Sequence, residues 1–307
     1  MHAPLPPLRH MAPGATVLFA FANPEIQMAD LLTRLANGRY GRVYRRMVDV
    51  ILAPAYALYA ARLRATVLSR PRPGHVALIM DGNRRWAAAE GFRDPGEGQR
   101  RGAERALDVV DWCVDLGIRE VTLWALSIEN LERSTEEVTT ITDVATEAIG
   151  ALASGRRRTS APVELRVIGR RDLLPAGLAE AVEHSATLSH ADGAVRVTVA
   201  IAYSGRDELL EAFRATIRDA VAAGTTADDL AGGITAEALA AHLYTRGSSD
   251  PDLIIRTSGE IRMSGFLPWQ SVYSEYHFCD AYWPAFRAID FLRAIRTYQQ
   301  RARRFGR

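Results

Sequence analysis

An α/β fold with a mainly parallel central sheet flanked by helices is the class this sequence predicts, on three observations. From Gly74 onward short apolar runs alternate with longer segments of helical spacing, the signature of strand–helix units joined by crossovers. The middle runs are rich in valine, isoleucine and threonine, which suit a pleated, buried surface. No internal repeat, low-complexity tract or second core interrupts them, so one domain is expected over residues 73–307.

The elements follow in order. Residues 1–26 carry five prolines and no period, and are expected to be a flexible tail. Residues 27–72 are expected to be a helical extension. Within it residues 48–65, VDVILAPAYALYAARLRA, are apolar, but Pro54, Arg62 and Arg64 leave the uncharged stretch too short to span a bilayer. Two readings stand for them, a helix packed on the main domain or an interfacial helix in peripheral membrane contact. The first strand is expected at 76–80. Leu107, Val110 and Val114 then recur at helical spacing, with Gly117 placed to end that helix. Further strands are expected at 121–126, 163–168, 195–200 and 253–255, and helices at 136–152, 173–188, 206–223, 236–244 and 288–304.

The chain has 307 residues, 48% hydrophobic and 24% charged, enough to bury a full core. Its formal charge of +2 argues against a nucleic-acid binder and leaves arginine clusters to be explained locally. Cys113 and Cys279 lie far apart and show no zinc spacing, and no signal peptide is evident, which points to a cytoplasmic protein, with membrane association resting on residues 48–65.

Chemistry concentrates at three strand ends. In HVALIMDGNRRWA, a strand breaks into Asp81, Gly82, Asn83, Arg84 and Arg85 before a helix-forming Trp-Ala-Ala-Ala. In an open α/β sheet ligands bind beyond the carboxyl ends of the strands, and two guanidiniums there can each grip phosphate oxygens in a fork. An aspartate suits an anion site once a hard cation lies between, since magnesium is commonly held by one or two carboxylates plus substrate phosphate oxygens. The alternative is a plain strand-to-helix turn capped by Asp81. DLIIRTSGEIRMSGF repeats the pattern with Arg256, Arg262 and Ser264 around a Thr257–Gly259 turn, with Glu260 and Glu275 as further carboxylates. ALSIENLER adds Ser127, Asn130 and Arg133. Three such strand ends imply two anionic substrates meeting; neither a phosphate-binding G-x-x-x-x-G-K-[ST] loop nor a dinucleotide-binding G-x-G-x-x-G is present.

These motifs, with YWPAF and in this order and spacing, resemble the cis-prenyltransferases, the Z-isoprenyl diphosphate synthases that include undecaprenyl diphosphate synthase. The likeness runs from about Pro73 to the end. With the RRFGR ending, it is nearer to actinobacterial short-chain Z-farnesyl diphosphate synthases than to long-chain members. It implies the family's α/β fold, a magnesium-dependent homodimer, and condensation of isopentenyl diphosphate with an allylic diphosphate, geranyl diphosphate here, to a short Z-prenyl diphosphate such as Z,E-farnesyl diphosphate. Carried over by residue, Asp81 would hold magnesium and Glu275 would assist. Gly82, Asn83, Arg84 and Arg85 would bind the allylic diphosphate. Arg133, Arg256, Arg262 and Ser264 would bind that of isopentenyl diphosphate. Ser127 and Asn130 would stand near the reacting carbons, with Asp81 and Asn83 as the other catalytic candidates. Arg304 would reach the partner subunit's site.

The departures are specific. Gln99 stands where the long-chain pattern has histidine and cannot shuttle a proton near neutrality, although it can bind diphosphate. Leu126 and Leu131 replace aromatics, and Ala202 replaces an asparagine. Trp86, Trp112, Trp124, Trp269 and Trp283 are read as core or interface packing, with Trp86, inside the first motif, also counted as substrate-binding. The rivals are a long-chain polyprenyl diphosphate synthase, a head-to-middle or cyclising enzyme of the same fold, and a non-catalytic partner subunit.

Overall fold

The computed structural model describes residues 57–301, apart from Ser160 and the side chains of residues 227, 228 and 231. The expected tail at 1–26, residues 27–56 and Arg304 lie outside the described residues. The chain divides into two compact units, Met1–Arg62 and Leu63–Arg307. The sheet and its helices belong to the second.

The described residues form a six-stranded sheet in the order β3-β4-β2-β1-β5-β6, parallel at every pairing. The strands are β1 (His75–Ile79), β2 (Glu120–Trp124), β3 (Val163–Ile168), β4 (Val195–Ala200), β5 (Leu253–Arg256) and β6 (Glu275–Phe278). β1 and β5 are buried along their whole length, as central strands covered on both faces must be. β6 was not expected. Its four residues, EYHF, include no β-branched side chain and sit half-buried on an edge, so neither alternation nor an apolar run marks them.

Helix α1 covers the described residues 57–68, and Leu63 and Val67 within it are buried. The Gln299 amide donates to the Val67 carbonyl at 2.9 Å, which ties the end of α1 to the helix near the C-terminus; residues 48–56 of the apolar stretch lie outside the described residues. No described helix is long and apolar enough to cross a membrane. After β1 come α2 (Asn83–Ala89) and α3 (Gly96–Leu116). α3 buries Ala106, Val109, Val110, Cys113 and Leu116, each large one contributing about 1.5–3 kcal/mol, and ends on Gly117 at φ 66° as expected. α4 (Thr135–Ala153) follows β2, with the Ser134 hydroxyl accepting from the Glu137 N–H as its cap.

The remaining helices are α5 (Ala176–Leu188), α6 (Gly205–Ala222), α7 (Ala227–Gly233), α8 (Ala236–Ala240) and α9 (Ala288–Gln300). α5 begins later than the expected 173 because Pro175 holds Leu174 extended. α8 is shorter than expected, and α7 was not read at all. The loop after α4 is pinned to α3 by a buried ion pair, Arg157 to Asp111 at 2.9 Å. The Thr159 hydroxyl (2.6 Å) and the Arg158 N–H (3.0 Å) also donate to Asp111, so that both carboxylate oxygens are hydrogen-bonded.

Candidate active site

Strand order places the site. The connection after β1 leads to β2 on one side, while that after β5 leads to β6 on the other, so the crevice beyond these two neighbours is where such a sheet binds ligands. Ile79 is in register with Arg256, which brings Asp81 of the first motif against Arg256 of the second.

The first turn is tighter than its sequence suggests. Gly82 alone makes it, at φ 107°, and a Cβ there would stand 2.8 Å from Tyr282 and 3.1 Å from Ser258. The helix therefore starts at Asn83, and Asn83, Arg84 and Arg85 are its first turn rather than a loop preceding the Trp-Ala-Ala-Ala run. Asp81 is fixed by its backbone. Its N–H donates to Thr257 Oγ1 at 3.0 Å, and its carbonyl accepts from that hydroxyl at 2.7 Å and from the Trp283 N–H at 3.0 Å. α3 approaches α2 so closely that a Cβ on Gly98 would lie 2.2 Å from the Asn83 carbonyl oxygen.

The Asp81 carboxylate accepts from Arg85 Nη2 at 3.1 Å on one oxygen and from Arg256 Nη2 at 2.9 Å on the other. Burial disfavours its charge, but the hydrogen bond from Arg256 and the charges of Arg85 and Arg256 prevail and hold its pKa below the ordinary value. It is an ionised carboxylate across the neutral range. Arg85 also donates to Glu260 at 3.2 Å and to Ser258 at 2.8 Å, and lies over the Tyr282 ring. Arg256, 4% exposed, donates to the Arg262 carbonyl at 2.5 Å and to the Ser264 hydroxyl at 2.6 Å, while Arg262 pairs with Glu260. Across the cleft Arg133 pairs with Glu137 at 2.5 Å, and Arg84 stands 3.5 Å from the same carboxylate. Asn130 Oδ1 accepts from the Ser127 N–H at 3.2 Å, fixing that strand end.

Together these residues line a cleft of about 710 Å³ that takes in Asp81, Gly82, Asn83, Arg84, Arg85, Gln99, Ser127, Asn130, Arg133, Arg256, Arg262 and Ser264. It adjoins a small apolar cavity of about 80 Å³ between α3, α4 and the sheet, and Met80, Asn83, Gln99, Ala125 and Ile141 belong to both walls. Ala103, Ala106, Ala145 and Ala148 line that cavity deeper in. The arrangement can hold polyanionic groups beside an apolar chain. Its partly exposed arginine–carboxylate pairs are each worth only about 0–1 kcal/mol, so a phosphate can replace a carboxylate partner at little cost.

Two expected residues do not join the cleft. Trp86 packs on Phe92, ring centroids 5.4 Å apart, and is absent from the lining. The position after Arg85 falls off the helix side that carries Arg84, Arg85 and Ala88, in keeping with the packing reading given to the tryptophans. Glu275 starts β6, level with Leu253, and pairs with Arg301; Arg256 lies three residues further along, about 10 Å, toward Asp81. Trp124, read as packing, both stacks on Phe266 at 5.0 Å and lines the cleft. Sequence reasoning missed Glu137 and Tyr282, whose pairings cross between motifs.

The described residues contain no cluster of three or more carboxylate, histidine or cysteine ligands for a metal. The donor set does fit magnesium held by one carboxylate and by substrate oxygens, with Asp81 the ionised carboxylate at the cleft.

The family model described as putative undecaprenyl diphosphate synthase matches residues 79–306, which takes in all three motifs. The chain belongs to this family. The cis-prenyltransferase is 45% identical to a (2Z,6E)-farnesyl diphosphate synthase of Thermobifida fusca (strain YX), over 84% of this chain and 100% of that protein. It is 44% identical to a tritrans,polycis-undecaprenyl-diphosphate synthase (geranylgeranyl-diphosphate specific) of Methanopyrus kandleri, over 90% of this chain and 100% of that one. Among solved structures, a lavandulyl diphosphate synthase from Lavandula x intermedia in complex with dimethylallyl diphosphate is similar, at TM-score 0.70 and 32% identity, covering 77% of this chain and 99% of that one. The expected fold and the expected prenyltransferase class are both borne out.

Proposed function

We propose that this cis-prenyltransferase condenses isopentenyl diphosphate with geranyl diphosphate, in the presence of magnesium, and stops at Z,E-farnesyl diphosphate. The observation that carries the reading is the junction of the two cavities: an arginine-lined cleft shares a wall with an apolar cavity of only about 80 Å³. The first suits two diphosphates, the second a short hydrocarbon. Likeness to the Thermobifida fusca enzyme supports the short product, although the nearly equal identity to the Methanopyrus kandleri enzyme shows that overall identity alone does not set length.

In this reading Arg84 and Arg85 grip the allylic diphosphate, while Arg133, Arg256, Arg262 and Ser264 hold the diphosphate of isopentenyl diphosphate. Positive charge develops at the allylic C1 as the diphosphate leaves, and the arginines stabilise the departing anion. Asp81 would hold magnesium, which when bound would supply Lewis-acid charge to that leaving group. The cavity between α3 and α4 excludes water from the cationic carbon. Ser127 and Asn130 orient the isopentenyl group, whose double bond attacks the allylic C1 to form the new carbon–carbon bond; the carbon beside the resulting cation then loses a proton to the isopentenyl unit's own diphosphate oxygen, leaving the cis double bond, a role Gln99 cannot take.

The enzyme works as a homodimer in this reading. β6 is an edge strand preceded by Val272 and Tyr273, 67% and 82% exposed, which suits a second copy. Glu275, remote from its own Asp81, and Arg304 would then serve the partner's cleft. Deleting residues 304–307 should cripple turnover without unfolding the protein.

Labelled isopentenyl diphosphate incubated with dimethylallyl, geranyl or farnesyl diphosphate, followed by chromatography of the dephosphorylated products, tests the reading. A C15 Z-product from geranyl diphosphate is expected. A dominant C50 or C55 band would assign a long-chain synthase, a branched or cyclic alcohol an altered chemistry, and no product a partner subunit.

A further inference from the structure

Among the described residues four other than glycine have positive φ: Ala202 (47°), Ser258 (77°), Ser264 (52°) and Leu267 (48°). For an L-residue this left-handed region is strained, and strained backbone concentrates where the surrounding structure enforces it for a purpose. Ala202 and Leu267 are fully buried and belong to the packed interior. The two serines differ. Each hydroxyl accepts a bond from one of the two arginines that grip Asp81: Arg85 Nη2 to Ser258 at 2.8 Å, Arg256 Nη1 to Ser264 at 2.6 Å. The two arginines take different oxygens of that carboxylate. Ser264 is already a substrate-binding candidate. Ser258 has no assigned role.

Ser258 is held where it is from both sides. Its N–H donates to the Ala281 carbonyl at 2.8 Å, and the next N–H, of Gly259, donates to the Cys279 carbonyl at 2.9 Å, so the turn is stitched to the end of β6. Its Cβ packs over Gly82, where a methyl group would come within 3.1 Å. Glycine would adopt the same φ without strain and would leave the turn's backbone bonds intact, but it has no hydroxyl to offer Arg85.

We propose that Ser258 is a positioning residue for the allylic diphosphate site: it accepts left-handed backbone strain in order to aim the Arg85 guanidinium, as Ser264 does for Arg256. One Arg85 nitrogen, Nη2, spans Asp81 and Ser258, and the other reaches Glu260, which fixes the plane of the fork. Removing the hydroxyl frees that plane to rotate, with two acceptors left to hold five donors. Stability and function then respond in opposite directions to one substitution. The inference rests on the prenyltransferase reading for its substrate, whereas its stability half does not.

The test compares full-length wild type, Ser258→Ala and Ser258→Gly in three measurements. The first is thermal unfolding: the Gly variant, relieved of strain though more flexible when unfolded, should melt about 2 °C or more above the Ala variant. The second is calorimetric binding of inorganic diphosphate with magnesium, which both variants should bind roughly tenfold more weakly than wild type, as loss of a hydrogen bond to a charged group implies. The third is steady-state kinetics: KM for geranyl diphosphate should rise roughly tenfold, KM for isopentenyl diphosphate should stay within about twofold, and kcat should change less than the allylic KM. A merely structural role would move both KM values together. Wild-type diphosphate affinity in the Ala and Gly variants, or equal melting of the two, would overturn the proposal. A wild type that binds diphosphate yet transfers no prenyl group would sink the activity reading alone, since binding and melting still judge Ser258.

Discussion

Among the described aspartates that pair with arginines, Asp111 and Asp81 are built for opposite purposes. Asp111 is 2% exposed and the Arg157 side chain is fully covered; one carboxylate oxygen accepts from Arg157 and Thr159 and the other from the Arg158 N–H, out of reach of a ligand. Asp81 is 29% exposed and Arg85 44%, both line a cleft of about 710 Å³, and each carboxylate oxygen accepts one arginine bond with lone pairs remaining. Composition does not distinguish the pairs. Access does: a sealed pair ties a loop to a helix, whereas an open pair keeps its charges available, in the proposed reading, for exchange with a diphosphate and a cation.

The largest effect expected from this contrast is on stability at the sealed pair. Asp111→Ala strands the Arg157 guanidinium in the interior and should cost about 3–5 kcal/mol in denaturant unfolding, while turnover per folded molecule stays within about threefold of wild type. A soluble, stable variant would mean that water reaches Arg157 and that the pair is not sealed.

Next in size is removal of metal. Chelation should lower turnover about a hundredfold or more and leave the melting temperature of the ligand-free protein within about 2 °C, because the proposed cation joins substrate to Asp81 and holds no fold element together. A large drop in melting temperature on chelation would place a structural metal elsewhere.

Much of this was legible in the chain. The β-branched runs gave the interior strands within a residue or two, and the three charged strand ends named every charged residue that lines the cleft, because strand direction in a parallel sheet puts all carboxyl ends on one side. What escaped depends on tertiary context. The short edge strand Glu275–Phe278 lacks a pattern, and the start of α2 at Asn83 depends on Gly82 turning alone. The Asp111–Arg157 pair joins residues 46 positions apart, and the Arg-Arg-Arg run at 156–158 looks on paper like solvated surface. For Trp86, which packs on Phe92, motif membership says nothing about which side of a helix a residue occupies.

Smaller effects sharpen the functional half. Ala148→Phe fills the apolar cavity from α4 and should reduce kcat/KM for geranyl diphosphate about tenfold relative to dimethylallyl diphosphate, read by parallel kinetics on the two substrates. Unchanged selectivity would move the hydrocarbon site elsewhere. Gln99→His should alter turnover less than about threefold, since no proton is routed through position 99. A tenfold gain there would make the side chain an acid–base participant after all.

The contrast between the two aspartates is tested most directly by measuring turnover and thermal unfolding on one variant, Asp81→Ala, beside wild type. Turnover should fall about a hundredfold or more while the melting temperature moves by no more than about 4 °C, since Asp81 and Arg85 are open to solvent and the buried Arg256 retains Ser264 and the Arg262 carbonyl. Near-normal turnover, or a collapse of stability like that expected for Asp111→Ala, would contradict the assignment of the Asp81 cleft as the site of diphosphate chemistry.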